Sequence, residues 1–447
     1  MTEVNFPLIS LEEALDIIES IVANSQSDGV FVNLNAMESA LSRFSGNQMT
    51  QNLSKNRFSF SITSHFGQKS ASAGNTGVEP DAIQATLRRS EELARLVPDD
   101  PEWLPLLEPQ QYDQNRAAFD NKTANSSPLE RGQIIQKVCS QCDRSRVEGS
   151  GTLSNSASLL AIGSSTGLRG YSQNTRADFS MTSKYRNGSS WSNRTSFALA
   201  DLPIENITEQ VITRSIASAD PQEIAPGSYS VVLEPAAFVD LLPWVIYNLD
   251  ARSADEGRSF MSRLDSEGKP NGNFIGESLF SPIVQVAREP SHPLLQLANF
   301  SEDGLPRHTL DIISSGIPQT LGYSRYWATK QKKDPTGSLF PLVMRGSSKT
   351  VQDLIAQTER GIFISRAWYV RSVNPRTLEV TGMTRDGTFW IENGKIAYPI
   401  KNLRFNQELP TMLKDIEDVS RAERFGNSVV PGVKIKNFHF SSVTDSI

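Results

Sequence analysis

Short runs of alternating apolar and polar residues, separated by turn-forming pairs, fill the chain between Gly361 and Phe405. Asp386-Gly387 and Asn393-Gly394 each lie between two such runs, an arrangement that is the strongest short-range signal for a β-hairpin. The pattern predicts that Thr388–Ile391 and Lys395–Ile400 pair across a type I′ turn. It also predicts that the surrounding region is rich in short strands.

The N-terminal part of the chain mixes helical and strand periodicity. Ser10 and Glu13 match a capping box just before an apolar stripe at helical spacing, so a helix is predicted to begin there. A second helix is predicted for Pro80–Leu96. The strands predicted between these two helices are Val30–Leu34, Ala40–Phe44 and Arg57–His65.

A segment rich in proline, Gln, Asn and Asp follows and predicts a linker, because such a composition does not pack as regular structure. Ser127, Pro128 and Glu130 then predict the capped start of another helix. Beyond it, alternation rich in Ser and Thr predicts antiparallel strands with a solvated face, followed by one helix. These elements are the strands Ser156–Ile162, Thr175–Thr182 and Thr195–Leu202 and the helix Thr208–Ser218.

The last part of the chain opens with a predicted strand, Ser228–Glu234, and an apolar helical stretch that Pro243 interrupts. Further elements are predicted as the helices Val351–Arg360 and Leu409–Val419 and the strand Val433–Phe440. The whole pattern predicts an α+β fold. Its predicted parts are an N-terminal mixed α/β domain (1–97), a linker (98–127), a central domain of helices and antiparallel strands (128–224) and a β-rich C-terminal domain (225–447).

Composition narrows the class of protein. A chain of 447 residues with 38% hydrophobic and 21% charged residues has the balance of a soluble globular protein of two or three domains. A net charge of −6 argues against a nucleic-acid-binding surface. The sequence has no run of 18 apolar residues, so no membrane span is expected, and its start lacks the basic region of an export signal. The predicted location is therefore the cytoplasm.

Two cysteines, Cys139 and Cys142, form the one CxxC motif of the sequence. A zinc site would need two more Cys or His ligands at a matching spacing, and the sequence has none. Both cysteines share a helical face with Ile135, so buried packing is the favoured interpretation, and redox or metal chemistry is the alternative. The histidines are scattered and are predicted to lie on the surface or in hydrogen-bonded core positions: His65, His292, His308 and His439.

Two stretches of the sequence resemble a known family. The segment TGMTRDGTFWIENGKIAYPIKNLRF resembles the C-terminal domain of the TldD/PmbA family. The segment ALSRFSGNQMTQNLSKNRFSFSITSHFGQKSASAGN resembles its N-terminal domain. This resemblance covers nearly the whole chain, with the proline-rich linker matching least. It implies a bacterial or archaeal peptidase subunit, in a family that has zinc-bearing and zinc-less members.

In the zinc-bearing members, the helix after the strand that corresponds to Ser228–Glu234 carries HExxxH, and a Cys near the C-terminus is the third ligand. Zinc takes neutral imidazole and thiolate ligands, and the Glu can take a proton from the metal-bound water. The corresponding motif positions in this sequence are Pro243, Trp244 and Asn248, and Cys142 is its last cysteine. The resemblance therefore implies a zinc-less member, with no catalytic residue, metal or other cofactor in this chain.

Side chains in the β-rich region are candidates for binding a peptide. An extended peptide can add to the edge of a sheet, with its alternate side chains in pockets that aromatic and Arg residues line. The candidate residues are Arg366, Trp368, Tyr369, Arg371, Thr384 and Arg385. The alternative for these residues is core packing and decoration of a turn.

The resemblance implies a non-catalytic subunit of a TldD/TldE-like cytoplasmic metallopeptidase that cleaves unstructured peptides. Its partner would be an HExxxH-bearing, TldD-like subunit that holds the zinc, in a heterodimer or a larger assembly. One alternative is a metal-free homodimer that binds peptides or regulates another protein, as the family's traditional name, modulator of DNA gyrase, suggests. A further alternative is hydrolysis by residues of this chain without zinc, but no nucleophile and base are found at a suitable spacing.

Overall fold

The computed structural model describes residues 9–112 and 118–444. Residues 113–117 of the predicted linker lie outside these ranges. Helices account for 24% and strands for 42% of the chain, in several antiparallel and mixed sheets, which confirms the predicted α+β class and the β-rich C-terminal region. None of the helices in the described ranges has both the length and the apolar character needed to cross a membrane.

The first sheet has six strands in the order β3-β2-β1-β4-β5-β6, and every neighbouring pair is antiparallel. The strands are β1 (Gly29–Ser45), β2 (Gln48–Phe66), β3 (Lys69–Asn75), β4 (Glu148–Ser164), β5 (Arg169–Tyr185) and β6 (Gly188–Ser196). Strands β1 and β4 pair from Phe31↔Ser164 to Phe44↔Gly151. The predicted parts 1–97 and 128–224 therefore contribute three strands each to one sheet, and the division into three domains stays a prediction.

Helices cover one face of this sheet, because alternate strand residues are apolar on that face only. The helices are α1 (Leu11–Asn24), α2 (Pro80–Leu96), α3 (Asn121–Ala124), α4 (Pro128–Arg144) and α5 (Ile204–Ala217). Val30, Val32 and Leu34 of β1 pack with Ile18 of α1 and Leu87 of α2 in one apolar core. A second core on the same face joins residues of β5 to α4 and α5.

Local capping signals set the helix starts as predicted. Ser10 accepts a hydrogen bond from the Glu13 amide, and the Glu13 carboxylate accepts one from the Ser10 amide, so the predicted capping box is present. Ser127 accepts from the Glu130 amide at the start of α4. Three strand predictions need correction. Val30–Leu34 and Ala40–Phe44 belong to the single long strand β1, and the third strand after α4 is β6 rather than Thr195–Leu202, whose end forms a 3-10 turn at Leu199–Asp201.

The second sheet has 13 strands and forms the C-terminal part of the molecule. Its strands are β7 (Gly227–Leu233), β10 (Val286–Arg288), β11 (Leu310–Ser314), β12 (Ile317–Pro318), β13 (Leu342–Met344), β14 (Arg360–Ile364), β15 (Ala367–Asn374), β16 (Glu379–Thr384), β17 (Thr388–Glu392), β18 (Lys395–Pro399), β19 (Leu403–Glu408), β20 (Ile416–Phe425) and β21 (Ser428–Val443). A separate ribbon pairs β8 (Ser262–Leu264) with β9 (Pro270–Asn273). The long strand β21 pairs with β7, β13, β19 and β20.

Six short helices accompany the second sheet. They are α6 (Pro235–Phe238), α7 (Leu242–Tyr247), α8 (Ala251–Asp255), α9 (Arg325–Gln331), α10 (Val351–Ala356) and α11 (Leu409–Lys414). The predicted break at Pro243 is present, since α6 and α7 replace a continuous helix. The predicted helices Val351–Arg360 and Leu409–Val419 are both too long, because β14 begins at Arg360 and β20 at Ile416.

One of the two predicted hairpin turns is confirmed. Strands β17 and β18 pair across Asn393-Gly394, whose φ values of 51° and 73° suit a type I′ turn. Asp386-Gly387 does not close a hairpin, because β17 pairs with β14 and β18 while β16 pairs with β15 and β19. Phe389 and Ile391 of β17 pack in a core with Val232 of β7, and this packing overrides the local turn signal.

Candidate functional site

The three positions that correspond to HExxxH lie on and just after α7. Pro243 is in the first turn, Trp244 is half-buried against the main core, and Asn248 follows the last helical residue. The Asn248 side-chain amide donates to the Trp244 carbonyl oxygen at 2.8 Å, and the Asn248 carbonyl oxygen accepts from Ser259 at 2.9 Å. Because zinc takes imidazole, thiolate or carboxylate ligands, these residues do not fit a zinc ion.

No group of three or more His, Cys, Asp or Glu residues able to hold a metal is present within residues 9–112 and 118–444. His65 accepts a hydrogen bond from the Trp103 indole at 3.0 Å, and His439 is exposed on β21, beside Ser228. Cys139 and Cys142 are buried free thiols on the inner face of α4, as predicted. Burial raises the pKa of the Cys142 thiol to about 12, so it stays protonated at neutral pH.

The structure brings two of the predicted peptide-binding residues, Arg366 and Trp368, together with a residue of the first sheet. The guanidinium carbon of Arg366 lies 4.0 Å from the ring centre of Trp191 and 4.1 Å from that of Trp368. Trp191 is on β6, so Arg366 joins the two sheets. Two indole rings that face one guanidinium hold it by cation–π attraction and by packing.

Asp386 fixes the same guanidinium from a third direction. Its carboxylate is 2.7 Å from a terminal nitrogen of Arg366 and also accepts a hydrogen bond from Ser189 of β6 at 2.9 Å. The Asp386 side chain is only 4% exposed, and its φ of 56° lies in the left-handed region. Arg385 adds a weaker contact, with its Nε 3.6 Å from the same carboxylate and its guanidinium 5.2 Å from the Trp368 ring. Three side chains, Trp191, Trp368 and Asp386, therefore hold the Arg366 guanidinium in place.

Asp240, in the connection between α6 and α7, is the accessible acid of this region. Its surface remains open to solvent, but protein atoms crowd around the carboxyl group, and this desolvation raises its pKa to about 7. The charge of Arg366 acts in the opposite direction. At neutral pH the carboxyl can therefore hold or release a proton beside the Arg366 cluster.

Strand β15 presents the predicted residues Tyr369 and Arg371 at an edge of the sheet. Among the strands of the described ranges, only β16 pairs with β15. The pairing is interrupted between Trp368 and Arg371, where Tyr369 adopts a φ of 58° and is 58% exposed. The Arg371 guanidinium packs 4.2 Å from the Tyr369 ring centre. An irregular strand edge of this kind has main-chain groups that an added strand can pair with.

Thr384 does not lie at this edge. It is fully buried, and its hydroxyl accepts a hydrogen bond from the Leu403 amide at 2.9 Å.

The sequence-based prediction of the site did not include Trp191 and Asp240. Asp240 is the one charged residue of the apolar stretch 235–249, which was a usable signal, whereas nothing in the sequence placed Trp191 beside Arg366.

Comparisons with known proteins agree with this architecture. Residues 226–442 match the family profile of the PmbA/TldA metallopeptidase C-terminal domain. The chain is 23% identical over 381 residues to the metalloprotease PmbA of Escherichia coli O157:H7, which covers 80% of each protein. It is 26% identical over 126 residues, or 27% of each protein, to the metalloprotease PmbA homolog of Buchnera aphidicola.

Three solved structures share the fold. A proposed modulator of DNA gyrase from Bacteroides thetaiotaomicron superimposes with a TM-score of 0.83 at 18% identity, covering 97% of this chain and 98% of that one. A similarly described protein from Thermotoga maritima gives 0.83 at 17% identity, covering 97% and 100%. TldE from Thermococcus kodakarensis gives 0.81 at 16% identity, covering 96% and 100%.

The family-profile match and the match to PmbA place the chain in a metallopeptidase-like group of proteins. Residues 226–442 belong to the PmbA/TldD family, as the resemblance in the sequence predicted.

Proposed function

We propose that this chain is the zinc-less subunit of a TldD/TldE-like peptidase complex that cleaves unstructured peptides in the cytoplasm. The observation that carries the proposal is the donor set at α7, where Pro243, Trp244 and Asn248 offer no zinc ligand. The partner is a paralogue that carries HExxxH. When zinc is bound there, it supplies the activated water for hydrolysis.

In this proposal the present chain holds the substrate. The unpaired edge of β15 receives an extended segment through main-chain hydrogen bonds, and Tyr369 and Arg371 contact its side chains. The rigid cluster around Arg366 forms the wall beside this edge, and Asp240 is the group there that can exchange a proton near pH 7. A segment must be extended and free of other strand partners to pair in this way, so the proposed binding mode favours unstructured substrates.

Reconstitution with the HExxxH paralogue of the same organism tests the proposal. Neither chain alone is expected to cleave a fluorogenic unstructured peptide, whereas the mixture forms a stable complex that does. Changing the paralogue's HExxxH Glu to Gln should abolish cleavage and leave the complex intact on gel filtration, because that Glu acts on water. Robust cleavage by this chain alone, or a fully active monomeric paralogue, contradicts the proposal. A homodimer that binds the peptide without the paralogue would support a regulatory function instead.

The substrate-holding role has its own test within the complex. Arg371→Ala should raise KM about 3- to 10-fold with kcat nearly unchanged, since an exposed Arg contributes about 1 kcal/mol of binding. The matched control is Arg404→Ala, which removes an exposed Arg from β19 and should leave both constants as they are. An unchanged KM in Arg371→Ala would show that the substrate does not bind at the β15 edge.

A further inference from the structure

A second cleft, lined by other residues than the cluster around Arg366, lies at the junction of the two sheets. It has a volume of about 670 Å³, which is in the range of ligand-binding sites. One wall comes from the end of β6 and the start of α5, and the opposite wall comes from β20. Leu294 lies at its rim and is 43% exposed.

One side of the cleft is apolar. Phe197, Leu202, Pro203 and Ile207 line it from the first sheet, and Leu294 closes it from the second. Leu202 and Ile207 are buried, whereas Phe197 is half-buried and Pro203 and Leu294 are exposed. The apolar surface of these last three residues favours a ligand with an apolar group, because its burial removes that surface from water.

The other side of the cleft carries three arginines, Arg194, Arg421 and Arg424. Arg194 is paired with Glu423 at 2.5 Å, so that pair is neutral as a unit. Within residues 9–112 and 118–444, no carboxylate lies within 4.0 Å of the guanidinium nitrogens of Arg421 or Arg424. Asp201, which also lines the cleft, is exposed.

Arg424 is a buried part of the cleft wall, and hydrogen bonds fix its position. It is 6% exposed, and its guanidinium donates to two carbonyl oxygens, those of Leu294 at 2.7 Å and Gly426 at 3.0 Å. Burial and the nearby Arg176 lower its pKa to about 10, while Asp178, which is paired with Arg176, acts in the opposite direction. Arg424 is therefore a fixed buried cation at neutral pH. A buried cation without a carboxylate partner is costly unless an anion compensates it.

Helix α5 adds positive potential to the same cleft. No side chain caps its first turn, where Pro203 is the N-cap, and Asn206 and Ile207 of that turn line the cavity. The N-terminus of this 14-residue helix attracts anions through its dipole and the amides of Glu205 and Asn206, and the Glu205 carboxylate in the same turn opposes that attraction.

We infer that this cleft binds an organic carboxylate attached to an apolar group, with Arg421 and Arg424 on the carboxylate and Phe197, Pro203 and Leu294 around the apolar part. The C-terminus of a peptide with an apolar last residue has this chemistry, and so does a free amphiphilic acid. Every lining residue of the cleft belongs to this chain, so binding can be tested on this chain alone.

The test measures binding of a fluorescein-labelled hexapeptide of Gly, Ser and Ala that ends in Leu, by fluorescence polarisation, and of octanoate, by calorimetry. The peptide acid should bind at least about 10-fold more tightly than the same peptide with a C-terminal amide, since charge-assisted hydrogen bonds are lost in the amide. Arg421→Gln, at an exposed position, should remove this difference, and Arg88→Gln on α2 is the matched control that should keep it.

Leu294→Ser tests the apolar wall and should reduce the preference for a Leu end over a Gly end. Its backbone carbonyl still accepts from Arg424, so the cation keeps its position. Binding of the peptide acid or of octanoate that depends on Arg421 supports the inference and identifies the source of the carboxylate. Equal binding of peptide acid and amide with no binding of octanoate, or binding that Arg421→Gln leaves unchanged, overturns it.

Discussion

The charged residues of the candidate site differ in how firmly the structure fixes their position and their charge. Arg366 is held by two indole rings and Asp386, so its position and charge are fixed. Asp240 lies in the same region but forms no such clamp, and the raised pKa makes it the one group there that changes charge near pH 7. An arginine of fixed charge near an aspartate whose charge changes around pH 7 is more typical of a ligand-binding site than of a packed core.

Asp240→Asn tests this contrast through stability. The folded state raises the pKa of Asp240 from its ordinary value of 3.8 to about 7, so its neutral form is the favoured one. Its contribution to stability is complete below pH 3.8 and is lost as the pH rises to about 7. The Asn variant should therefore gain stability relative to the natural chain between pH 4.5 and 7.5, with no further gain at pH 9. Urea unfolding at the three pH values measures this, and a difference that does not vary with pH would contradict the desolvation of Asp240.

Helix starts and tight turns in this chain lie where local sequence signals, such as capping residues and turn-forming pairs, predict them. The start of α1, the start of α4 and the β17–β18 hairpin were predictable because a few neighbouring residues determine each of them. The failure at Asp386-Gly387 has a physical reason. Its turn conformation is present, but β17 pairs with β14 because their apolar side chains share a core with β7. The Arg366 cluster was only half predictable, since Trp191 enters from a strand about 175 residues away in the sequence.

Gly394→Ala tests the hairpin. The turn needs a φ of 73° at this position, and a Cβ there would lie 2.6 Å from the Ala356 carbonyl oxygen. Strain and the close contact together should cost about 1–3 kcal/mol of unfolding free energy. Gly268→Ala is the matched control, because it has a similar φ of 78° but no atom within 4 Å of the added Cβ. Chemical denaturation of both variants separates the two effects, and equal losses would show that the contact with Ala356 contributes nothing.

The whole molecule is held together by pairings between segments that are distant in sequence. The β1–β4 pairing joins residues on both sides of the proline-rich segment, so the first sheet does not depend on the chain between them. Sequence periodicity indicated the strands of both halves, but it carries no information about which strands are neighbours.

A cut between Gln110 and Gln111, at an inserted protease site, tests this continuity. The two fragments should stay together on native gel filtration and separate in urea, because main-chain hydrogen bonds along β1 and β4 join them. Adding Ala36→Pro to the cut chain should release or precipitate the fragments, since proline removes an amide from a central strand. Separation of the cut natural chain without urea would mean that the β1–β4 pairing is too weak to join the two parts.

The position of β21 has a consequence for synthesis on the ribosome. Four strands of the second sheet, β7, β13, β19 and β20, need β21 as a neighbour, and within the described residues it is the last strand to be made. The nascent chain must therefore keep the edges of these strands that face β21 unpaired until β21 has been made. Protein made from a message that stops before β21 exposes those edges permanently and becomes a client of chaperones and proteases.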